Sequence, residues 1–120
     1  MNSDTGPLLI KNLDDVFNER DSDRRMQAIK ALYAEDAVFY EGDDKFEGWT
    51  AIAKRFDDIL GPTPPEFRFS IVKTPGRIRD LEQLQWQLGP AQGTSVASGL
   101  DVAHVSEGKI QSLYTFVDPS

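Results

Sequence analysis

Asp101 stands inside an alternating run, between Gly99 and Ala103, where aspartate is disfavoured as a strand residue. A carboxylate kept there is either a buried acid/base group or a structural acceptor for backbone and hydroxyl donors. Burial raises a carboxyl pKa toward neutrality, where the group can both give and take a proton. Glu41 is the second candidate. Ala37, Phe39 and Glu41 share one strand face by period-two alternation, so Glu41 points the same way as the aromatic ring before it. The competing reading makes Glu41-Gly42-Asp43-Asp44 an exposed acidic turn. His104, the only histidine, falls on the opposite face of its run from Asp101, so no His–Asp catalytic pair is expected. One histidine, scattered carboxylates and no cysteine give no metal-ligand spacing. No nucleotide motif is present either. The expected chemistry therefore uses carboxylates alone, with no metal and no cofactor.

These residues must be positioned by helices first and strands afterwards. Leu9, Leu13, Val16 and Phe17 fall at helical spacing, with Pro7 suited to a first turn. Asp21 and Ser22 offer caps for a second helix with the stripe Met26, Ile29, Leu32 and Tyr33. The β-prone run Ala37-Val38-Phe39-Tyr40 ends at the turn Gly42-Asp43-Asp44. A third helix follows Gly48, with Ile52, Phe56, Ile59 and Leu60 on its stripe and Lys54 and Arg55 outside it, and the prolines after Gly61 stop it. Beyond Pro65 the chain alternates as strands. Leu84, Trp86 and Leu88 oppose Gln83, Gln85 and Gln87; Asp101 shares a face with Gly99 and Ala103; Leu113, Thr115 and Val117 oppose Tyr114 and Phe116. Turn signals lie at Pro75-Gly76, between Gly89 and Gly93, and at Glu107-Gly108. This order predicts an α+β fold with helices on one face of a curved, mostly antiparallel sheet, leaving a concave side that the helices only partly fill.

The 120 residues fit one domain, 1–120 with a core at about 8–118, since compact domains commonly run from ~100 to ~150 residues. A hydrophobic content of 39% marks a globular rather than a disordered chain. A net charge of −7, with no basic stripe, disfavours nucleic acid and anionic membranes as partners. Residues 1–7 lack a signal-peptide layout and no apolar run is long enough to span a bilayer, so a soluble cytoplasmic protein is expected.

The element order, together with Ala31-Leu32-Tyr33-Ala34-Glu35-Asp36-Ala37-Val38, Gly48 with Ala51-Ile52 and Phe56, Asp101-Val102 and Gly108-Lys109-Ile110, resembles the SnoaL-like branch of the nuclear transport factor 2-like superfamily. That branch is related to ketosteroid isomerases and polyketide cyclases. The resemblance covers about Leu9 to Asp118 and implies a cone-shaped α+β barrel of three N-terminal helices packed on the sheet. It also implies a homodimer through the outer sheet face. Activity in such a fold is set by its site and not by its architecture. Asp101 matches the position of a protonated aspartate that donates to an oxyanion in ketosteroid isomerases, and Glu41 resembles their general base, where an aspartate is expected. Phe17 stands about where those isomerases carry a hydrogen-bonding tyrosine, and losing such a donor costs ~3 kcal/mol. A steroid isomerase of the usual kind is therefore disfavoured, unless Tyr33, Tyr40 or Tyr114 replaces the hydroxyl. Phe17, Phe39, Trp49, Trp86 and Tyr114 are the expected pocket lining, around a small apolar or carbonyl-bearing molecule. Two readings stay open. One is a cofactor-independent isomerase or cyclase acting by proton transfer next to a carbonyl, with Asp101 and Glu41 catalytic. The other is a non-catalytic ligand-binding or protein-interaction module.

Overall fold

The computed structural model describes residues 7–119, so the reading of the first six residues lies outside the described part. Helix α1 (Leu8–Asn12) runs directly into a wider π-helical turn, Leu13–Phe17, and both bury their apolar side on the sheet. Helix α2 (Ser22–Leu32) is capped as expected: the Asp21 side chain accepts from the Arg24 backbone N–H at 2.9 Å. Helix α3 (Gly48–Leu60) buries Ile52, Phe56 and Leu60. Among the described residues, no helix is long and apolar enough to cross a membrane.

The strands are β1 (Tyr33–Glu41), β2 (Asp44–Glu47), β3 (Phe67–Ile71), β4 (Gly76–Ile78), β5 (Leu81–Pro90), β6 (Ala97–Ser106) and β7 (Lys109–Val117). They form one sheet in the order β2-β1-β7-β6-β5-β3, with β4 also on β5. Every pairing is antiparallel except β1 with β7. The α+β class and the three helices match expectation. The barrel does not: β2 and β3 end the path without pairing to each other, so the sheet is curved but open.

Strand β1 starts four residues earlier than the run 37–40 suggests, because Tyr33 already pairs with Ile110 across β7. Strand β2, absent from the sequence reading, is a hairpin return after Gly42, whose φ of 60° suits a residue without a side chain. The last hairpin turns at Glu107 and Gly108, with φ of 52° and 76°, the geometry of the expected tight turn. Along β6 the odd-numbered residues Gly99, Asp101, Ala103 and Val105 are buried beneath the helices. That alternation puts Asp101 on the concave side.

Candidate functional site

Pairing aligns Glu41 (β1), Thr115 (β7), Asp101 (β6) and Leu84 (β5) in one row across four strands. Directly opposed residues point to the same face, so the two candidate carboxylates stand on the concave side with only Thr115 between them. Two strand spacings separate their backbones by about 10 Å.

Asp101 is 2% exposed. Its Oδ1 accepts from the Trp86 indole N–H at 3.0 Å and from the Thr115 hydroxyl at 2.9 Å. Among the described residues no donor meets Oδ2. Burial pushes its pKa from 3.8 up to about 7, opposed in part by the Thr115 and Trp86 hydrogen bonds, which favour the charged form. The Trp86 contact depends on a missing side chain one strand away. A Cβ on Gly99, the partner of Trp86 across β5 and β6, would collide with the indole and with the Phe116 carbonyl. The indole therefore lies over bare backbone and reaches Asp101 two residues along.

Glu41 has a different partner. Arg55 donates from Nε to Oε1 at 2.7 Å and from Nη2 to Oε2 at 3.0 Å, so a guanidinium edge occupies both carboxylate oxygens. Arg55 was placed outside the apolar stripe of its helix. Instead it sits half-buried on the sheet side, three residues after Ile52 and four before Ile59. Its own pKa rises, chiefly through the hydrogen bond to Glu41.

A cavity of about 330 Å³ opens between α3 and the concave face, lined by Phe17, Phe39, Phe56, Phe69, Trp86 and Leu88 together with Glu41, Arg55 and Thr115. Phe17 packs at 4.9 Å from both Phe56 and Phe69, and Phe69 lies edge-on to Trp86 at 5.5 Å, so the wall is an aromatic box. Asp101 is not itself part of this wall; it lies one hydrogen bond beyond it, through Trp86 and Thr115. A larger depression of about 870 Å³ shares Glu41, Arg55, Thr115 and Val117, but its other walls are the Gly42 turn and the outward-facing Tyr40, Tyr114 and Phe116. The apolar space next to Trp86 and Thr115 is the better candidate, because ligand sites bury most of the ligand against apolar walls.

Of the five expected lining residues, Phe17, Phe39 and Trp86 face this cavity. Trp49 and Tyr114 lie outside it. The Trp49 indole N–H donates to the Tyr33 carbonyl at 2.9 Å, at the far end of α3. Tyr114 follows Leu113 and precedes Thr115, both inward, so alternation turns it out of the sheet, where it stacks on Tyr40 at 4.7 Å. No tyrosine takes the role vacated at Phe17. The Tyr33 hydroxyl, fully buried, donates to Asn12 Oδ1 at 2.7 Å, and its pKa is raised by burial and by the nearby Asp101 charge. His104 faces outward and meets Asp80 at 2.9 Å in an exposed pair. The described residues contain no cluster of three metal-ligating side chains.

Sequence reasoning missed four polar residues on the inner side. Thr115 and Arg55 were legible from periodicity, at period two and at i+3 from Ile52. Glu82 is 1% exposed and continues the inward series of Leu84 and Trp86 by one step. It accepts from the Leu9 backbone N–H at 3.0 Å. Asn12 had no such signal, since a polar residue at a helical core position reads as an interruption.

A model of the SnoaL-like domain matches residues 10–113. Among solved structures, a candidate isomerase of the SnoaL-like family from Agrobacterium tumefaciens is 26% identical, with a TM-score of 0.84 over 93% of this chain and 95% of that one. A candidate polyketide cyclase from Sinorhizobium meliloti is 15% identical, with a TM-score of 0.72 over 96% and 99%. A protein of ketosteroid isomerase-like fold from Catenulispora acidiphila, crystallised with trimethylamine, is 11% identical, with a TM-score of 0.72 over 91% and 83%. The last two share the fold alone with this chain. No curated protein sequence matches it significantly.

Proposed function

The chain belongs to the SnoaL-like domain family, and on that premise we propose that it binds a small, mostly apolar carbonyl compound and moves a proton next to the carbonyl, as an isomerase or cyclase does. The observation that carries this reading is Asp101: a buried carboxyl held on Oδ1 by Trp86 and Thr115, two residues of the aromatic cavity wall, with a pKa near 7. Such a group is ready to accept and return a proton at physiological pH.

With Oδ1 accepting two hydrogen bonds, Oδ2 is the atom that carries the proton. In the forward step the carboxylate form takes a proton from the carbon beside the carbonyl. The C–H electron pair moves into the enolate, the proton rests on Oδ2, and protonation at the same or a conjugated carbon restores Asp101. No oxidant, reductant or second substrate is required. Glu41 serves this reading as the counter-ion of Arg55 rather than as a base, since both of its oxygens already accept from the guanidinium.

The step can be followed without knowing the natural substrate. In deuterium oxide the protein should accelerate exchange of the α-protons of 4-phenylbutan-2-one, read by proton NMR. Asp101→Asn should abolish the acceleration while remaining folded. Equal exchange by the two proteins would sink the proton-transfer reading.

The outer face supports an assembly role beside the cavity. Tyr114 and Phe116 are 40% and 59% exposed there, next to Tyr40. This apolar strip is the surface through which a homodimer forms in our reading. Sedimentation of the wild type and of Phe116→Lys tests it, a monomeric wild type being the adverse result.

A further inference from the structure

We propose that the Arg55–Glu41 pair sets the charge selectivity of the cavity, admitting neutral oxygen-bearing molecules such as ketones, aldehydes and alcohols and turning carboxylates away. This deepens the small-molecule reading above and rests on it.

The first argument is position. Arg55 and Glu41 line both the inner cavity and the larger depression outside it, so a ligand in either space lies beside the pair. The second is hydrogen-bond capacity. A guanidinium has five N–H groups. Glu41 uses the Nε edge and one proton of Nη2, which leaves both Nη1 protons and the second Nη2 proton without a partner among the described residues. A carbonyl or hydroxyl oxygen beside the pair can therefore accept from Arg55 without displacing Glu41.

The third argument is charge. The charged residues of the cavity wall are Arg55, Glu41 and Asp58, and +1 −1 −1 sums to −1. Lys54 pairs with Asp58 at 3.2 Å and offsets it, which leaves the Arg55–Glu41 pair, with no net charge, as the charged part of the inner wall. Asp44 adds a further negative charge acting on Arg55. A carboxylate entering here finds the guanidinium already neutralised and a further negative charge acting on it, in a half-buried setting where charges are screened less than in bulk water. A neutral oxygen meets only the free N–H donors. Cavity size bounds the rest of the ligand: about 330 Å³ corresponds to roughly a dozen non-hydrogen atoms at ~30 Å³ per water-sized unit. That is one ring with a short chain, held against Phe17, Phe56, Phe69 and Trp86.

The test pairs two probes of that size, 4-phenylbutan-2-one and 4-phenylbutanoate, measured by calorimetric titration at pH 6, where Asp101 is largely protonated. The wild type should bind the ketone at least tenfold more tightly than the carboxylate. Glu41→Gln, which frees the guanidinium at constant shape, should reverse that order. Arg55→Gln should weaken ketone binding severalfold and leave the carboxylate excluded. A wild type that binds the acid as tightly as the ketone overturns the inference, and so does an unchanged ratio in Glu41→Gln. Failure of both probes to bind overturns it as well. The proton-transfer reading is judged separately, by α-proton exchange in Asp101→Asn, so that failure of either can be told from failure of the other.

Discussion

Asp101 and Glu41 stand in one row of the sheet, on the same face and separated only by Thr115, yet the fold has made them different acids. At Asp101 the neighbours are neutral donors, burial is nearly complete, and the pKa rises to about 7. At Glu41, about 10 Å nearer the edge, the carboxylate is partly exposed and clasped by a guanidinium. The difference shows that a carboxylate's role follows its partners and its solvent more than its place in a strand pattern. The inner end of the row is a buried carboxyl with a pKa near neutrality. The outer end holds a cation in place.

The strongest way to break this contrast is Asp101→Asn. The variant keeps an oxygen for Trp86 and Thr115 but has no carboxyl, so any catalysed proton transfer should fall by about 10²- to 10⁴-fold. In the wild type the rate should rise with pH through about 7 and level off above it, since the base form does the work. Stability should move the other way. Asp101 has a folded pKa above its unfolded value of 3.8, so the folded state holds the proton more tightly. The contribution is fully present below pH 3.8, declines as pH rises from there to about 7, and stays lost above it. The penalty at alkaline pH is at most on the order of 4 kcal/mol for a shift of this size. Asp101→Asn should therefore melt higher than the wild type at pH 8 and much closer to it at pH 4. A lower melting temperature at pH 8 would identify the carboxylate as a structural acceptor.

Gly99→Val comes next. Its side chain would occupy the space of the Trp86 indole, and overpacking of this kind costs about 1–3 kcal/mol. Chemical denaturation measures the loss, and tryptophan fluorescence should report a displaced indole. A smaller effect is expected from Trp86→Phe and Thr115→Val. Each removes one donor that favours the charged form of Asp101, so the midpoint of the pH–rate profile should shift upward. An unmoved midpoint in both would remove these donors from the account of Asp101. The smallest change belongs to the rim, where Glu41→Gln should cost about 1 kcal/mol in denaturant unfolding because the pair is half-buried and bidentate.

The two ends of the row also differ in how far they could be foreseen. An aspartate in a strand interior is an anomaly that alternation exposes at once, and its inward face followed from Gly99 and Ala103 on either side. Glu41 was placed on the correct face by the same rule. Its engagement with Arg55 required knowing that α3 packs across β1, a contact between segments that no local period reports. Trp49 and Tyr114 show the same limit. Aromatic character marks a residue as apt for a wall but not for which wall, and one step along β7 separates the cavity from the outer surface.

Local chemistry in the sequence determined the α+β class, the three helices, the last hairpin and the inward turn of Asp101, because helix and strand periods, caps and glycine turns act over a few residues. Tertiary structure alone decided that the sheet stays open, that β1 pairs in parallel with β7, and that a bare Gly99 lets Trp86 reach Asp101. It also decided which carboxylate is dry and which is paired. The physical reason is that burial and ion pairing depend on what other parts of the chain bring to a residue, whereas the direction in which a side chain points is set by its own strand.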